Sequence, residues 1–343
     1  MADYSALDRL LHRLALASPM RAEMLYDVER GLYLSSAPQD GGRHVFVCGL
    51  ARAGTTILMR ELHRSGAFGS LTYADMPFVL SPNLWRRLSA RSADPGMKAE
   101  RAHGDGIEVD QNSPEALDEV YWRVFAGDDY IRRDRLIPHR PDGDAISGYR
   151  DLIRLVLRHT GRGRYLAKNN NHILRLGALA QAFPDSLFLV PVRAPAAHAQ
   201  SLLSQHQRFA ASDPFTQSYM RWLGHHEFGA THRPFAWNGA AVAGDPDTLD
   251  YWFAQWVAAH RALLEAARAH GNVRLVPSDR LARDPELWPA IARAAGIEAA
   301  PLQEIRAMPQ RGENASTPEA DGLYAELIEL AETTLKQGAH QPA

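Results

Sequence analysis

Residues 45–56, VFVCGLARAGTT, constrain the fold more than any other part of this chain. Residues 45–48 form a short apolar run suited to a buried strand, and the glycines behind it bracket a tight turn. From Thr55 the apolar spacing becomes helical, with Leu58 and Leu62 on one face and Gly66 as a stop. A strand that turns sharply into a helix aims backbone N–H groups and the positive helix end at one point, where an anion is stabilised. The sequence therefore predicts a phosphate cradle in an α/β chain.

What the loop lacks narrows the chemistry. The spacing Gly49-x4-Gly54 matches the opening of a P-loop, but Thr55 stands where nucleotide-hydrolysing versions place Lys. The loop's cation is Arg52 instead. Without a lysine reaching the β- and γ-phosphates, transfer of a γ-phosphoryl group is disfavoured while phosphate binding survives. Because glycine-spaced turns also occur at ordinary strand-to-helix junctions, a second site is needed. Residues 192–201, VRAPAAHAQS, supply one. Residues 186–192 read as a strand interrupted by Pro191, and Pro195 stands where a helix can begin, since its missing N–H costs nothing there. Arg193 thus occupies another strand-to-helix junction. Its guanidinium can grip a phosphate through two N–H groups, and the Ser201 hydroxyl on the following helix can donate another. Taken singly, Arg193 would serve as a carboxylate's partner and Ser201 as a small packing residue.

Together the two segments resemble the sulfotransferases that use 3′-phosphoadenosine-5′-phosphosulfate (PAPS). In that family an R-S-G-T-T loop holds the 5′-phosphosulfate, and an R-x-P segment with a Ser eight residues after its Arg holds the 3′-phosphate. Here the first reads Arg52-Ala53-Gly54-Thr55-Thr56 and the second is Arg193, Pro195 and Ser201. The resemblance runs from about Val45 to Pro285, through LAKNNNHILRLGALAQAFPDSLFLVPVR and VPSDRLARDP. Ala53 departs from the usual Ser and removes a hydroxyl; Asn169 follows Lys168 where related enzymes often have Ser. The resemblance implies a P-loop NTPase-like sulfotransferase fold: three layers, a central parallel sheet flanked by helices. It also implies a PAPS co-substrate bound by Arg52, Ala53, Gly54, Thr55, Thr56, Arg193 and Ser201, with no metal.

The wider pattern agrees. Strand-like runs at Val45, Tyr165, Leu187 and Val273 alternate with helical patterns at Thr55, His172, Pro195 and Asp250, as in a parallel sheet covered by helices. With 343 residues and 45% hydrophobic composition the chain can bury a large core, and no linker or internal repeat divides it. One domain over residues 1–343 is expected. Residues 1–40 form a helical extension with Leu7, Leu10, Leu11 and Leu14 at helical spacing, to pack on the domain or to join a homodimer. Residues 212–250 break the alternation and are rich in aromatic residues and His. A loop of that length is commonly functional, so they are assigned to an acceptor-side lid with Tyr219, Trp222, His225, His226 and Trp237. The adjacent His225 and His226 lack the i, i+4 spacing of a helical zinc site.

Lys and Arg total 38 against 40 Asp and Glu, a balance that gives no reason to expect nucleic acid or an anionic membrane as partner. Cys48, the single cysteine, allows no internal disulfide and has the apolar neighbours of a packed thiol. No signal-peptide core or membrane-length run appears, which leads us to expect a cytoplasmic location.

Sulfuryl transfer needs a deprotonated acceptor, an in-line approach to sulfur and compensation of charge on the departing phosphate oxygen. Arg52 and the N–H groups of residues 54–56 suit the last task, and similarity to related enzymes assigns Lys168 to the transferring group. For the base, the resemblance points to the region of Asp75, in TYADMP, although that carboxylate can equally cap the turn before Pro77. His103, in ERAHGDGIEVD, is the alternative for its near-neutral pKa, with Glu108 close behind. The expected acceptor is a hydroxyl on a saccharide, another alcohol or a small molecule. The alternatives are a nucleotide-dependent phosphotransferase and a catalytically silent bisphosphonucleotide-binding protein. The sequence leaves open how the segment around Arg311 relates to the nucleotide.

Overall fold

A computed structural model describes residues 6–89, 99–100, 108–109, 113–237, 239–304 and 316–337. The first part of the chain runs α1 (Ala6–Leu16), α2 (Pro19–Tyr33), β1 (Val45–Val47), α3 (Thr55–His63), β2 (Phe68–Gly69), α4 (Pro82–Ser89), β3 (Ala99–Glu100) and β4 (Glu108–Val109). It continues through α5 (Glu119–Tyr130), α6 (Gly143–Thr160), β5 (Arg164–Lys168), α7 (Leu176–Ala182), β6 (Leu187–Val192), α8 (Pro195–Ala210) and α9 (Pro214–Trp222). The last part holds β7 (Ala236–Trp237), β8 (Ala240–Ala241), α10 (Leu249–Ala269), β9 (Val273–Pro277), α11 (Leu287–Ala294) and α12 (Pro318–Gln337).

Five strands form the central sheet in the order β2-β5-β1-β6-β9, every neighbouring pair parallel. Side chains along each strand alternate between its faces. Val45, Val47, Leu166, Leu189 and Val276 share one apolar cluster with Leu58 and Leu62 of α3 and Trp288 and Ile291 of α11. Phe46, Tyr165, Phe188 and Val190 share the other with Leu152 and Val156 of α6 and Trp256 and Leu263 of α10. The result is the expected three-layer α/β arrangement. Cys48 falls in the second cluster, where burial pushes its thiol up to about 12, as befits a packing residue.

Pro191 sits inside β6, opposite Val276. Leu189 directs its carbonyl to the Cys48 N–H, so Pro191, two residues on, faces the same side just where β1 has ended. Its missing N–H therefore costs no ladder bond. The helical pattern expected from His172 resolves into a 3-10 turn, Asn170–Leu174, followed by α7; the Asn169 side chain accepts the Asn171 N–H and tightens the entry.

The N-terminal helices bury a different face from the one their leucines suggest. Leu10 and Leu14 are 51% and 44% exposed, whereas His12, Ala15 and Leu16 of α1 are buried. Polar anchors decide the orientation of α2. Tyr26 donates its hydroxyl to the Gly148 carbonyl, and the buried Glu29 accepts the Asn83 and Leu84 N–H groups at the start of α4. A carboxylate at a helix N-terminus is well placed against both the unpaired donors and the dipole.

Candidate functional site

The turn after β1 is held by backbone conformations that side chains seldom adopt. Arg52 has φ 70° and Gly54 φ 97°, and a Cβ on Gly54 would stand 3.5 Å from the Ser278 Cβ. α3 begins at the next residue, so the first N–H groups of α3 open toward the turn. His198 of α8 supports the loop from beneath, its Nε2 2.8 Å from the Ala51 carbonyl. Burial holds this imidazole well below its ordinary pKa, and a carbonyl can only accept, so Nε2 carries the proton.

Across the sheet order, the end of β6 brings Arg193 to the same turn. Its Nη1 donates to the Arg52 carbonyl at 3.3 Å, and the Arg52 Nε donates to the Ser201 hydroxyl at 3.2 Å. Asp279, in the turn after β9, accepts the Ala194 N–H at 2.5 Å and places Oδ1 3.8 Å from the Arg193 Nε. Burial lowers the pKa of Arg193, with Asp279 opposing and Arg52 reinforcing the shift. Arg193 is 8% exposed, and its Nε has no hydrogen-bond partner among the described residues. A buried, charged, incompletely paired donor at a helix N-terminus suits an anion. The loop segment Arg52 to Thr56, Arg193 and Ser201, far apart in sequence, thus lie together at the carboxyl ends of β1 and β6, where open α/β sheets bind ligands.

On the other side of the loop stands β5. Its last residue, Lys168, is in register with Val47, the last residue of β1. The Lys168 ammonium lies 3.5 Å from Glu115, which also accepts the Tyr73 hydroxyl at 3.0 Å and the Ala116 N–H at 2.9 Å. Beside it a chain of contacts reaches the loop: Thr55 Oγ1 donates to Asn170 at 3.4 Å, and the Asn170 amide donates to Glu227 at 3.2 Å. His225 completes it, 3.6 Å from Glu227. Burial alone would raise the pKa of Glu227, but His225 draws it down to about 2; the imidazole is raised in return. Glu115, Asn170, Glu227 and Asp279 were not among the residues singled out from sequence. Each is tied into the site by at least one contact that spans a long stretch of chain, and no local spacing announces that contact.

Asp75 occupies a cap. Its Oδ2 accepts the Thr72 N–H and hydroxyl at 2.8 and 3.2 Å, and its Oδ1 lies 3.0 Å from His159 in the last turn of α6. His103 and Arg311 fall outside the described residues, and Glu108 lies in β4. Residues 212–250 fold into α9, a 3-10 turn and the β7–β8 hairpin. Tyr219 meets His12 of α1 edge-on at 5.4 Å, and the Arg9 guanidinium lies over the Phe215 ring, so α9 is braced by the N-terminal helix. Of the aromatic residues proposed for the lid, His225 joins the chain of contacts to the loop, and His226 is buried beside it. Among the described residues no cluster of His, Cys, Asp and Glu is arranged for a metal ion, and no helix is long and apolar enough to cross a membrane.

A sequence profile described as the Sulfotransferase family matches residues 44–298. No curated relative matches the sequence. Among solved structures, the chain is similar to sulfotransferase STF1 from Mycobacterium tuberculosis, with a TM-score of 0.51 and 17% identity over 98% of this chain and 86% of the other. It is also similar to sulfotransferase STF9 from Mycobacterium avium, with a TM-score of 0.51 and 14% identity over 100% of this chain and 79% of the other. At such identities the two structures establish a shared fold.

Proposed function

The chain belongs to the sulfotransferase family, and from that premise we propose that it moves a sulfuryl group from PAPS to a hydroxyl of a saccharide or other alcohol. The observation that supports this reading best is the joining of two cationic sites: Arg193 donates to the Arg52 backbone while Arg52 donates to Ser201. A ligand with phosphate at both its 3′ and 5′ positions has the charge distribution such a pair selects. Arg193, with a buried Nε that no described residue hydrogen-bonds, takes the 3′-phosphate, and Ser201, accepting from Arg52, keeps its own O–H to donate. The loop N–H groups and Arg52 take the 5′-phosphate. They offset the charge that develops on its oxygen as the bond to sulfur breaks, and such preorganised donors act most strongly where water is excluded. Lys168, one strand away, serves the transferring group.

The test is calorimetric. Wild type binds adenosine 3′,5′-bisphosphate more tightly than AMP, and Arg193→Ala erases that preference with a loss of roughly tenfold or more, as expected for charge-assisted bonds. Equal affinity for both nucleotides in wild type refutes the assignment of Arg193. A panel of saccharides, alkanols and phenols with labelled PAPS then identifies the acceptor.

A further inference from the structure

Resting on the reading above, we infer that Glu115 is the general base that takes the acceptor's hydroxyl proton. The direction of the crevice carries the argument. The 3′ site lies at the end of β6 and the loop at the end of β1, so a bound donor directs its sulfuryl end toward the neighbour on β1's other side, β5. Lys168 ends β5, and Glu115 is the carboxylate at its ammonium. The backbone fixes it there: Thr72 and Pro114 form a bridge, and the Glu115 N–H bonds the Leu71 carbonyl. Glu115 is 9% exposed, so its carboxylate is largely removed from water.

The other described carboxylates nearby are committed elsewhere. Asp75 caps Thr72 and faces His159. Asp279 serves Arg193 at the opposite end of the crevice. Glu227 is matched to His225 and Asn170. Asp118 and Glu119 are buried beneath, bonded to Tyr165 and to Arg175 respectively.

The contact between Lys168 and Glu115, at 3.5 Å, is longer than a good hydrogen bond. When a donor's bridging oxygen draws the ammonium to itself, the carboxylate loses a stabilising charge and gains basicity. In the step itself the acceptor oxygen forms the new O–S bond and passes its proton to Glu115. The S–O bond to the 5′-phosphate breaks, and its electron pair stays on the phosphate oxygen beside Arg52 and Lys168.

Glu115→Gln keeps the shape of the side chain and removes its capacity to accept a proton. With the alcohol identified by the acceptor panel, kcat falls by about a hundredfold or more, in the range of general-base catalysis, while the affinity for adenosine 3′,5′-bisphosphate stays within about threefold of wild type. A fluorinated analogue of that alcohol, more acidic at the same hydroxyl, recovers much of the loss in the variant, and Glu115→Asp retains intermediate activity. A merely structural role would depress all acceptors alike. Unchanged kcat, an equal loss for both alcohols, or loss of bisphosphate binding overturns the assignment of Glu115. If wild type itself neither binds the bisphosphate nor labels any acceptor, the functional reading fails first and this inference with it.

Discussion

Arg52 places a non-glycine residue in the left-handed region, at φ 70°, within the turn between β1 and α3. A side chain there costs about 1–2 kcal/mol that glycine avoids, and such strain persists where the surroundings enforce it. Here the enforcing contacts are the Ser201 hydroxyl and the Arg193 guanidinium. Arg52→Gly and Arg52→Ala both lose the cation, so both bind adenosine 3′,5′-bisphosphate at least about tenfold more weakly. They differ in stability: Arg52→Gly unfolds at a higher urea concentration than Arg52→Ala, by about 1 kcal/mol. Coincident unfolding curves would mean that the turn relaxes once the guanidinium is gone. The same residues show what a sequence displays of a site. Arg52 to Thr56 are legible because a strand, a turn and a helix start must follow one another at fixed spacing, and Arg193 with Ser201 repeats that logic. Asp279 and Glu115 are invisible by comparison, since each is recruited by a contact between distant segments.

At the scale of elements, the turn after β5 depends on a buried carboxylate. Glu119, the first residue of α5, is fully buried and accepts from Asn169 at 2.8 Å, Asn171 at 3.0 Å, Arg175 at 3.0 Å and the Tyr130 hydroxyl. Arg175 lies 4.7 Å from the ring centroids of both Trp122 and Tyr130. This network joins α5 to the 3-10 turn and so sets the direction in which Lys168 and Asn170 leave the sheet. Removing one member of a buried ion pair leaves the other charge uncompensated, at a cost of about 3–5 kcal/mol. Glu119→Ala is therefore expected to lower the unfolding free energy by that order, with a milder effect for Glu119→Gln. A loss below about 1 kcal/mol in urea denaturation would show that Arg175 finds another partner. None of this was legible in the run NNNH, whose helical spacing conceals a turn built on side-chain amides. β2 escaped notice because two residues carry no period. On α1 the apolar positions were legible and their direction was not: the leucine stripe shows which residues repel water, while Arg123 bonding the Leu16 carbonyl and Tyr26 bonding Gly148 decide how the helices sit.

Across the whole molecule, the two sheet faces were legible from the start, because apolar runs alternating with helical patterns admit few arrangements other than helices on both sides of a parallel sheet. What composition does not reveal is how many of the histidines that layering buries. His226, His232 and His260 are lowered to about 4, each chiefly by burial, and His172 and His198 are pushed well below the ordinary value. Each of these imidazoles binds a proton more readily in the unfolded chain, near pH 6.5, than in the fold. As the pH falls from about 6.5 toward 4, the unfolded chain takes up protons that the folded one refuses, and stability declines. Other groups act in the opposite sense: Asp118 is raised by burial to about 6, Glu304 is raised by burial and His225 is raised by Glu227, so all of them favour the protonated fold. They are outnumbered, and Glu227, lowered to about 2, supports the fold until the medium is far more acidic. Melting temperature is thus expected to drop steadily between pH 6.5 and 4, with no change in the helical circular dichroism of the folded baseline. His260→Phe, which removes one refused proton, makes that slope shallower, by at most about 1.4 kcal/mol per pH unit. A melting temperature that stays level across the interval would mean that the buried imidazoles reach solvent without unfolding, and that the α10 face of the sheet opens in the native state.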